Sequence, residues 1–211
     1  GHIWVGTKEH GLGHYIEDQD RFEYFYLKNP SPDDVSKRGP VVVSDIAIDR
    51  QDPNILWLSG YDGLYAFDKK QKIFERHAYY AAESKKQITP FLAVETDFTS
   101  QIWLGTWSDG LVSFDKNTKT FESYPYHDAD VPNTTRYQAI DVKSLNDTTL
   151  YLASRNAGLL SFHKRTHTIH SLLTNDMLPD GSSGIDIQQI SITPDAGVFI
   201  GGNYYLYQQH A

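Results

Sequence analysis

The feature that most constrains this chain is an internal repeat, because a sequence that returns to one pattern about every four dozen residues must fold as an array of like units. A short β-rich run carrying an aromatic residue is followed, six or seven positions after that aromatic, by Gly-Leu. The runs are Ile3-Trp4-Val5-Gly6-Thr7 with Gly11-Leu12, and Leu56-Trp57-Leu58-Ser59-Gly60 with Gly63-Leu64. Next come Ile102-Trp103-Leu104-Gly105-Thr106 with Gly110-Leu111, and Leu150-Tyr151-Leu152-Ala153-Ser154 with Gly158-Leu159. A weaker fifth copy is Val198-Phe199-Ile200-Gly201-Gly202, where Tyr205-Leu206 replaces Gly-Leu. The aromatic anchors at 4, 57, 103, 151 and 199 are spaced by 53, 46, 48 and 48 residues. Four residues after each Gly stands another aromatic (Tyr15, Phe67, Phe114, Phe162), and eleven after it a large apolar residue (Phe22, Phe74, Phe121, Ile169).

Each period contains four short extended runs divided by turn signals. In the second copy these are Val43 to Ile48, Ile55 to Ser59, Leu64 to Phe67 and Ile73 to His77. The Gly of each Gly-Leu falls where a tight turn wants a positive φ, which glycine adopts without steric cost. No long segment keeps a 3.6-residue apolar period, so helix is expected to be scarce. Four strands per period of this length is the pattern of a β-propeller blade. A sandwich would not need its second strand to carry an aromatic once per period, whereas a propeller buries the same face of each blade against the next. The fold class expected is therefore all-β: an incomplete arc of about four and a half four-stranded blades, with eighteen strands. The blades are placed at 1–28 (lacking its first strand), 41–80, 88–126, 137–173 and 185–211 (lacking its last). The chain opens on Gly1-His2-Ile3-Trp4, already strand-like and without a signal peptide, and is read as a piece of a longer protein.

Composition then removes whole classes of function. The net charge of −8 argues against nucleic-acid binding, which draws its affinity from Lys and Arg neutralising phosphates. The absence of cysteine excludes disulfides, thiolate zinc sites and thiol catalysis. No stretch reaches 18 apolar residues, so no membrane insertion of this segment is expected. No P-loop, His-Glu-x-x-His, Gly-x-Ser-x-Gly or dinucleotide fingerprint is present.

The pattern Ile-Trp-Leu-Gly-Thr-x-x-x-Gly-Leu-x-x-Phe-Asp at 102–115 resembles the two-component regulator propeller repeat, and the copies at 3–15, 56–68 and 150–162 match it with small changes. The resemblance implies seven-bladed propellers in the extracytoplasmic half of bacterial membrane sensors, ahead of a transmembrane segment and a histidine kinase, hybrid kinase or diguanylate cyclase. It implies a periplasmic location, a membrane-anchored parent and, as in some members, an oligosaccharide ligand. The motif residues Trp, Gly-Thr and Gly-Leu build the blade, so no catalytic set comes with them. Any enzymatic activity is expected in an output domain outside this segment, and no cofactor is implied.

Recognition is expected where side chains differ while the scaffold repeats, on the loops between the second and third strands of each blade and on the connections from one blade to the next. Trp107 is the leading candidate, an indole in a turn that favours small polar residues. With Asp109, Tyr61, Asp62, Arg155, Asn156, His10 and Arg136 it makes a set suited to a sugar: a face to stack on and polar groups for hydroxyls. The competing reading of Trp107 is packing on the neighbouring blade. Asp128 and Asp130 lack the Gly and distal Glu of a calcium loop, and His163, His167 and His170 lie on an outer hairpin, where they read as surface histidines. Ligand sensing is the main expectation. The alternatives are a protein–protein interaction propeller, with self-association through open blade edges, and a lyase or glycosidase using Asp62 and Asp109.

Overall fold

The computed structural model describes residues 2–26, 42–80, 89–126, 137–155, 157–173, 186–193 and 197–202, and the backbone of 206–210. Short alternating runs bounded by turns form five antiparallel sheets, in each of which strands adjacent in sequence pair. The first sheet holds β1 (Trp4–Gly6), β2 (Leu12–Ile16) and β3 (Arg21–Phe25), with a single 3-10 turn at Glu17–Gln19. The second holds β4 (Val43–Ile48), β5 (Ile55–Gly60), β6 (Gly63–Asp68) and β7 (Ile73–His77). The third holds β8 (Phe91–Thr96), β9 (Gln101–Thr106), β10 (Leu111–Asp115) and β11 (Thr120–Tyr124). The fourth holds β12 (Ala139–Ser144), β13 (Thr149–Ser154), β14 (Gly158–His163) and β15 (Thr168–Leu173), and the fifth β16 (Ile187–Ile192), β17 (Gly197–Gly202) and β18 (Leu206–His210). The described residues thus contain the eighteen strands the repeat predicts. The inner strands β4, β8, β12 and β16 lie against one another in that order, giving an open arc of blades.

The core lies between the sheets. Four separate apolar clusters fill the four junctions: one around Leu12, Leu58 and Phe67, one around Trp57, Phe91 and Phe114, one around Trp103, Tyr137 and Phe162, and one around Ala153, Ile187 and Ile200. Each blade is therefore stabilised mainly by its neighbours, as in other repeat proteins. Close approach is part of the design. A Cβ on Gly105 of β9 would sit 2.3 Å from the carbonyl oxygen of Ala139 on the next inner strand. Gly110 has φ +65°, and a Cβ there would strike the ring of Tyr137, whose hydroxyl accepts from the Leu111 N–H at 2.9 Å and donates to the Tyr124 carbonyl at 3.1 Å.

One set of polar contacts recurs at successive junctions. The indole N–H of Trp57 donates to Asp49 at 2.8 Å, and Lys116 of the next blade reaches the same carboxylate at 3.0 Å. One period on, Trp103 donates to Asp97 at 3.0 Å and Lys164 pairs with it at 2.8 Å. Each tryptophan also packs on a phenylalanine of the next blade, Trp57 on Phe114 at 5.7 Å and Trp103 on Phe162 at 5.4 Å between ring centroids. Burial works against the charge of both carboxyls. The Trp57 and Lys116 hydrogen bonds on Asp49, and those of Lys164, Thr99 and Trp103 on Asp97, outweigh it and hold both below the usual carboxylate range. In the fourth blade the unit is lost as a whole: Tyr151 stands where the tryptophan would be and Leu145 where the aspartate would be.

The inner strands present backbone N–H groups that no further strand covers. Each inner strand bulges near its start, and carboxylates then reach the next strand along. Asp45 accepts from the Val94 N–H at 3.0 Å, Glu95 from Ser144 at 3.3 Å and Asp141 from Ile190 at 2.8 Å. Lys143 pairs with Asp141 at 2.9 Å, and Arg50 with Glu95 at 3.2 Å. Burial raises the carboxyls of Asp45 and Glu95, with Lys143 pulling the other way. Burial likewise opposes the charge of Lys143, but Asp141, Asp45 and Glu95 overcome it and keep the ammonium above its usual range.

Two stability predictions follow from these contacts. Gly105→Ala should lower the urea-unfolding free energy by about 2–3 kcal/mol, because backbone must move to admit the methyl. Gly201→Ala meets nothing within 4 Å and should change it by less than about 0.5 kcal/mol. Asp97→Asn strands the buried Lys164 ammonium and should cost roughly 3 kcal/mol at pH 7. Because the folded carboxyl lies below its unfolded value of about 3.9, that contribution is complete above this pH and is lost as pH falls through the folded value. The gap between wild type and Asp97→Asn should therefore narrow below about pH 4.

Candidate functional site

The loops that join the second and third strands of each blade owe their shape to the residue that ends the second strand. Thr7 Oγ1 accepts from the His10 N–H at 2.8 Å and donates to the Gly11 carbonyl at 3.0 Å. Thr106 Oγ1 accepts from the Asp109 N–H at 2.8 Å, and Ser154 Oγ from the Ala157 N–H at 3.1 Å. The turns close through Gly11, Gly110 and Gly158 at φ 68°, 65° and 73°. This is the physical role of Gly-Thr and of Gly-Leu in the repeat. The hydroxyl fixes the loop backbone, and the residues between are left to vary. In the second blade Gly60 replaces the hydroxyl residue and pairs with Gly63, so the loop contracts to the two-residue hairpin Tyr61-Asp62.

On these rigid stems the structure brings two of the expected residues together. Trp107 is 47% exposed, and its backbone N–H donates to the Pro90 carbonyl at 3.1 Å, which anchors the residue while leaving the ring open. The Arg155 guanidinium, from the next blade, lies 6.0 Å from the centroid of that ring. Arg155 in turn approaches Asp186, just before β16 of the fifth blade, at 3.5 Å. A flat indole, a guanidinium and a carboxylate thus span three consecutive blades. Such a cation–π pair contributes about 0.5–1 kcal/mol at an exposed site and fixes the ring for stacking.

The expected carboxylates are tied into the scaffold. Asp62 accepts from the Tyr65 hydroxyl at 2.8 Å on both oxygens and pairs with Arg76 at 3.3 Å, all within one blade. Asp109 accepts from the Tyr79 hydroxyl at 2.9 Å and from Ser108 at 3.2 Å. Burial first, then the neighbouring carboxylate, raises both phenols, so Tyr65 and Tyr79 remain proton donors. Tyr61 is exposed, and the His10 ring lies 5.4 Å from that of Tyr24. Among the described residues neither touches the Trp107–Arg155 pair. Asn156, Arg136, Asp128 and Asp130 lie outside the described residues.

The outer histidines serve the turns. His163 Nδ1 accepts from the Thr166 N–H at 3.2 Å, doing what Asp68 and Asp115 do for the same turn in the sister blades. His167 takes φ 57° there and sets its ring 4.9 Å from that of Tyr124 on the preceding blade. Among the described residues no group of three or more His, Asp or Glu side chains is arranged to hold a metal ion.

Sequence reasoning missed Asp186, the inner carboxylates and the Trp–Asp–Lys unit. The last of these carries a signal in the repeat itself: Asp49 and Lys116 are 67 residues apart, as are Asp97 and Lys164.

No protein-family model matches the chain, and no curated protein does. Solved structures do. The chain is similar to the extracellular domain of the putative hybrid two-component system BT3049 of B. thetaiotaomicron, with 20% identity and a TM-score of 0.72, over 100% of this chain and 27% of that one. It is similar to the corresponding domain of BT4673 of the same organism at 15% identity and a TM-score of 0.75, over 98% and 25%. It also matches the β-propeller domain of Cps50 (Swd1) of Myceliophteria thermophila at 10% identity and a TM-score of 0.65, over 95% and 58%. The fold is a β-propeller. The chain spans about a quarter of the length of the two B. thetaiotaomicron domains it matches.

Trp107, at 47%, is the most exposed of the four indoles; Trp4 is half-buried, and Trp57 and Trp103 are 4% exposed. Trp107→Phe should therefore remove the larger part of the acrylamide-quenchable tryptophan emission, with Trp4 supplying the remainder, and leave the thermal midpoint within about 1 °C, since an exposed aromatic contributes little to stability.

Proposed function

We propose that this chain is the ligand-sensing propeller region of a bacterial signal-transduction receptor, on the extracytoplasmic side of the membrane, and that it acts by binding an oligosaccharide. The observation that carries the reading is the Trp107–Arg155–Asp186 constellation: an open indole with a charged, hydrogen-bonding fork above it, laid across three blades of a rigid scaffold. An apolar face beside directional polar groups is what a sugar ring requires. The likeness to extracellular domains of putative two-component systems supports the receptor setting.

The same placement suits signalling. Arg155 and Asp186 face each other across the junction between the fourth and fifth blades, where Tyr151 and Leu145 stand in place of the Trp–Asp pair of the second and third blades. A ligand that engages both sides of this junction would bind two blade arrangements with unequal affinity, which is the condition for shifting a population between them. Binding is favoured over acid–base chemistry because Asp62 and Asp109 already serve as acceptors for Tyr65 and Tyr79.

The test is calorimetric titration of the chain with a panel of oligosaccharides. A member of the panel should bind, and Trp107→Ala and Arg155→Ala should each weaken it about tenfold while leaving the thermal midpoint unchanged. Binding that ignores both substitutions, or turnover of the bound glycan, would contradict the reading.

A further inference from the structure

We propose that His77 makes the junction between the second and third blades pH-sensitive, and that uptake of a proton by its buried ring loosens this junction on mild acidification. The device is independent of any ligand. It rests on an ionisable ring standing where two sister blades carry rings that stay neutral.

The repeat sets the position. The residue paired across the outer strands with the leucine of Gly-Leu is aromatic in three blades: Phe25 opposite Leu12, His77 opposite Leu64 and Tyr124 opposite Leu111. Each ring fills a notch between the tryptophan of its own blade and the phenylalanine of the next. Phe25 lies 6.0 Å from Trp4 and 5.0 Å from Phe67, between ring centroids. His77 lies 6.0 Å from Trp57 and 4.5 Å from Phe114, and Tyr124 5.9 Å from Trp103 and 4.9 Å from Phe162. The geometry is the same three times, but the chemistry is not. The Phe25 side chain has no polar atom. The Tyr124 hydroxyl is hydrogen-bonded with Ser113 at 3.2 Å and donates to Glu122 at 2.9 Å, and burial pushes its phenol up to about 12. Of the three rings, His77 alone can change charge near neutral pH.

The surroundings of His77 oppose that charge. Its side chain is 9% exposed, and Nε2 is buried without a hydrogen-bond partner. β5 and β10 set the rings of Trp57 and Phe114 against it, and β6 places Leu64 opposite. Two charged groups act on it: Glu75 of its own strand, 3.6 Å from Nε2, and Lys119 from the turn between β10 and β11, itself paired with Glu75 at 3.2 Å. Burial is the largest influence and disfavours the proton, Glu75 favours it, and Lys119 disfavours it. The ring is therefore held below the usual histidine value of 6.5. The opened junction binds the proton more readily than the closed one. Stability from this place is complete above about pH 6.5 and is lost as the pH falls from there towards the folded value. The junction concerned is the one that Trp57, Asp49 and Lys116 fasten. It also adjoins the loop of Trp107, because Tyr79, two residues after His77, holds Asp109 there.

The test compares two indoles in equivalent units, Trp57 packed on the histidine and Trp103 on a tyrosine. His167, the histidine of the second unit, is exposed on its turn. The ratio of the two indole N–H exchange rates, read in one sample at each pH, cancels the intrinsic pH dependence of exchange. Between about pH 7.5 and 5.5 the ratio of Trp57 to Trp103 should rise at least about threefold. Asp49 and Asp97, held below the usual carboxylate range, stay ionised throughout that window. His77→Phe and His77→Tyr, which install the rings of the first and third blades, should each keep the ratio constant. Glu75→Gln removes the one charge that favours the proton and should enlarge the rise. A flat ratio in the unaltered chain, or an equal rise in the Phe and Tyr variants, overturns the proposal.

Discussion

The contact on which this arc depends is a buried carboxylate shared between an indole N–H of its own blade and a lysine of the next. A blade has no interior of its own; its apolar side chains are covered only if the neighbouring sheet stays at the right distance and angle. Asp49 and Asp97 set both, since each is held by Trp57 or Trp103 on one side and by Lys116 or Lys164 on the other. The pair is worth keeping because the carboxylates are buried, a situation in which removing one partner costs far more than the pair itself contributes. Tyr151 and Leu145 show the same logic in reverse: where the donor is absent, the buried acceptor is absent too.

The second constraint is the free edge of each inner strand. Asp45, Glu95 and Asp141 accept backbone N–H groups from the following strand, and Lys143, paired with Asp141, offsets part of their charge from a position among them. An unpaired backbone donor next to the axis would otherwise lose a hydrogen bond on folding. The two devices adjoin: Asp45, Glu95 and Asp141 lie on the inner strands, and Asp49 and Asp97 directly follow β4 and β8. Between them the blades become fixed stems on which loops can vary. The loop residues that the stems do not use, Trp107 and Arg155 among them, are left exposed or paired across blades.

Much of this was readable before any coordinates. The spacing of Trp4, Trp57, Trp103, Tyr151 and Phe199 is a direct consequence of burying one face per blade, and so it reveals both the fold and the strand count. Trp107 was legible as an oddity, a large ring in a loop whose backbone asks for small residues. Which loop residues meet was not legible. Asp62 and Asp109 look like free mouth carboxylates in one dimension, because the tyrosines that hold them, Tyr65 and Tyr79, stand in core positions of the repeat. Asp186 was hidden for a similar reason: its approach to Arg155 crosses a blade boundary, and the repeat describes each blade singly. His163 stands where the sister blades carry the aspartates Asp68 and Asp115, and it accepts the same turn N–H that they do.

The central claim is that indole donors engaged by inter-blade carboxylates hold the arc together, and the four tryptophans report on it directly. Hydrogen exchange of the indole N–H groups, followed by two-dimensional nuclear magnetic resonance at neutral pH, should divide them into two classes. Trp57 and Trp103 should exchange only through opening of the blade junctions and be strongly protected, while Trp4 and Trp107 exchange rapidly. If all four exchange at similar rates, Asp49 and Asp97 do not hold the blades together.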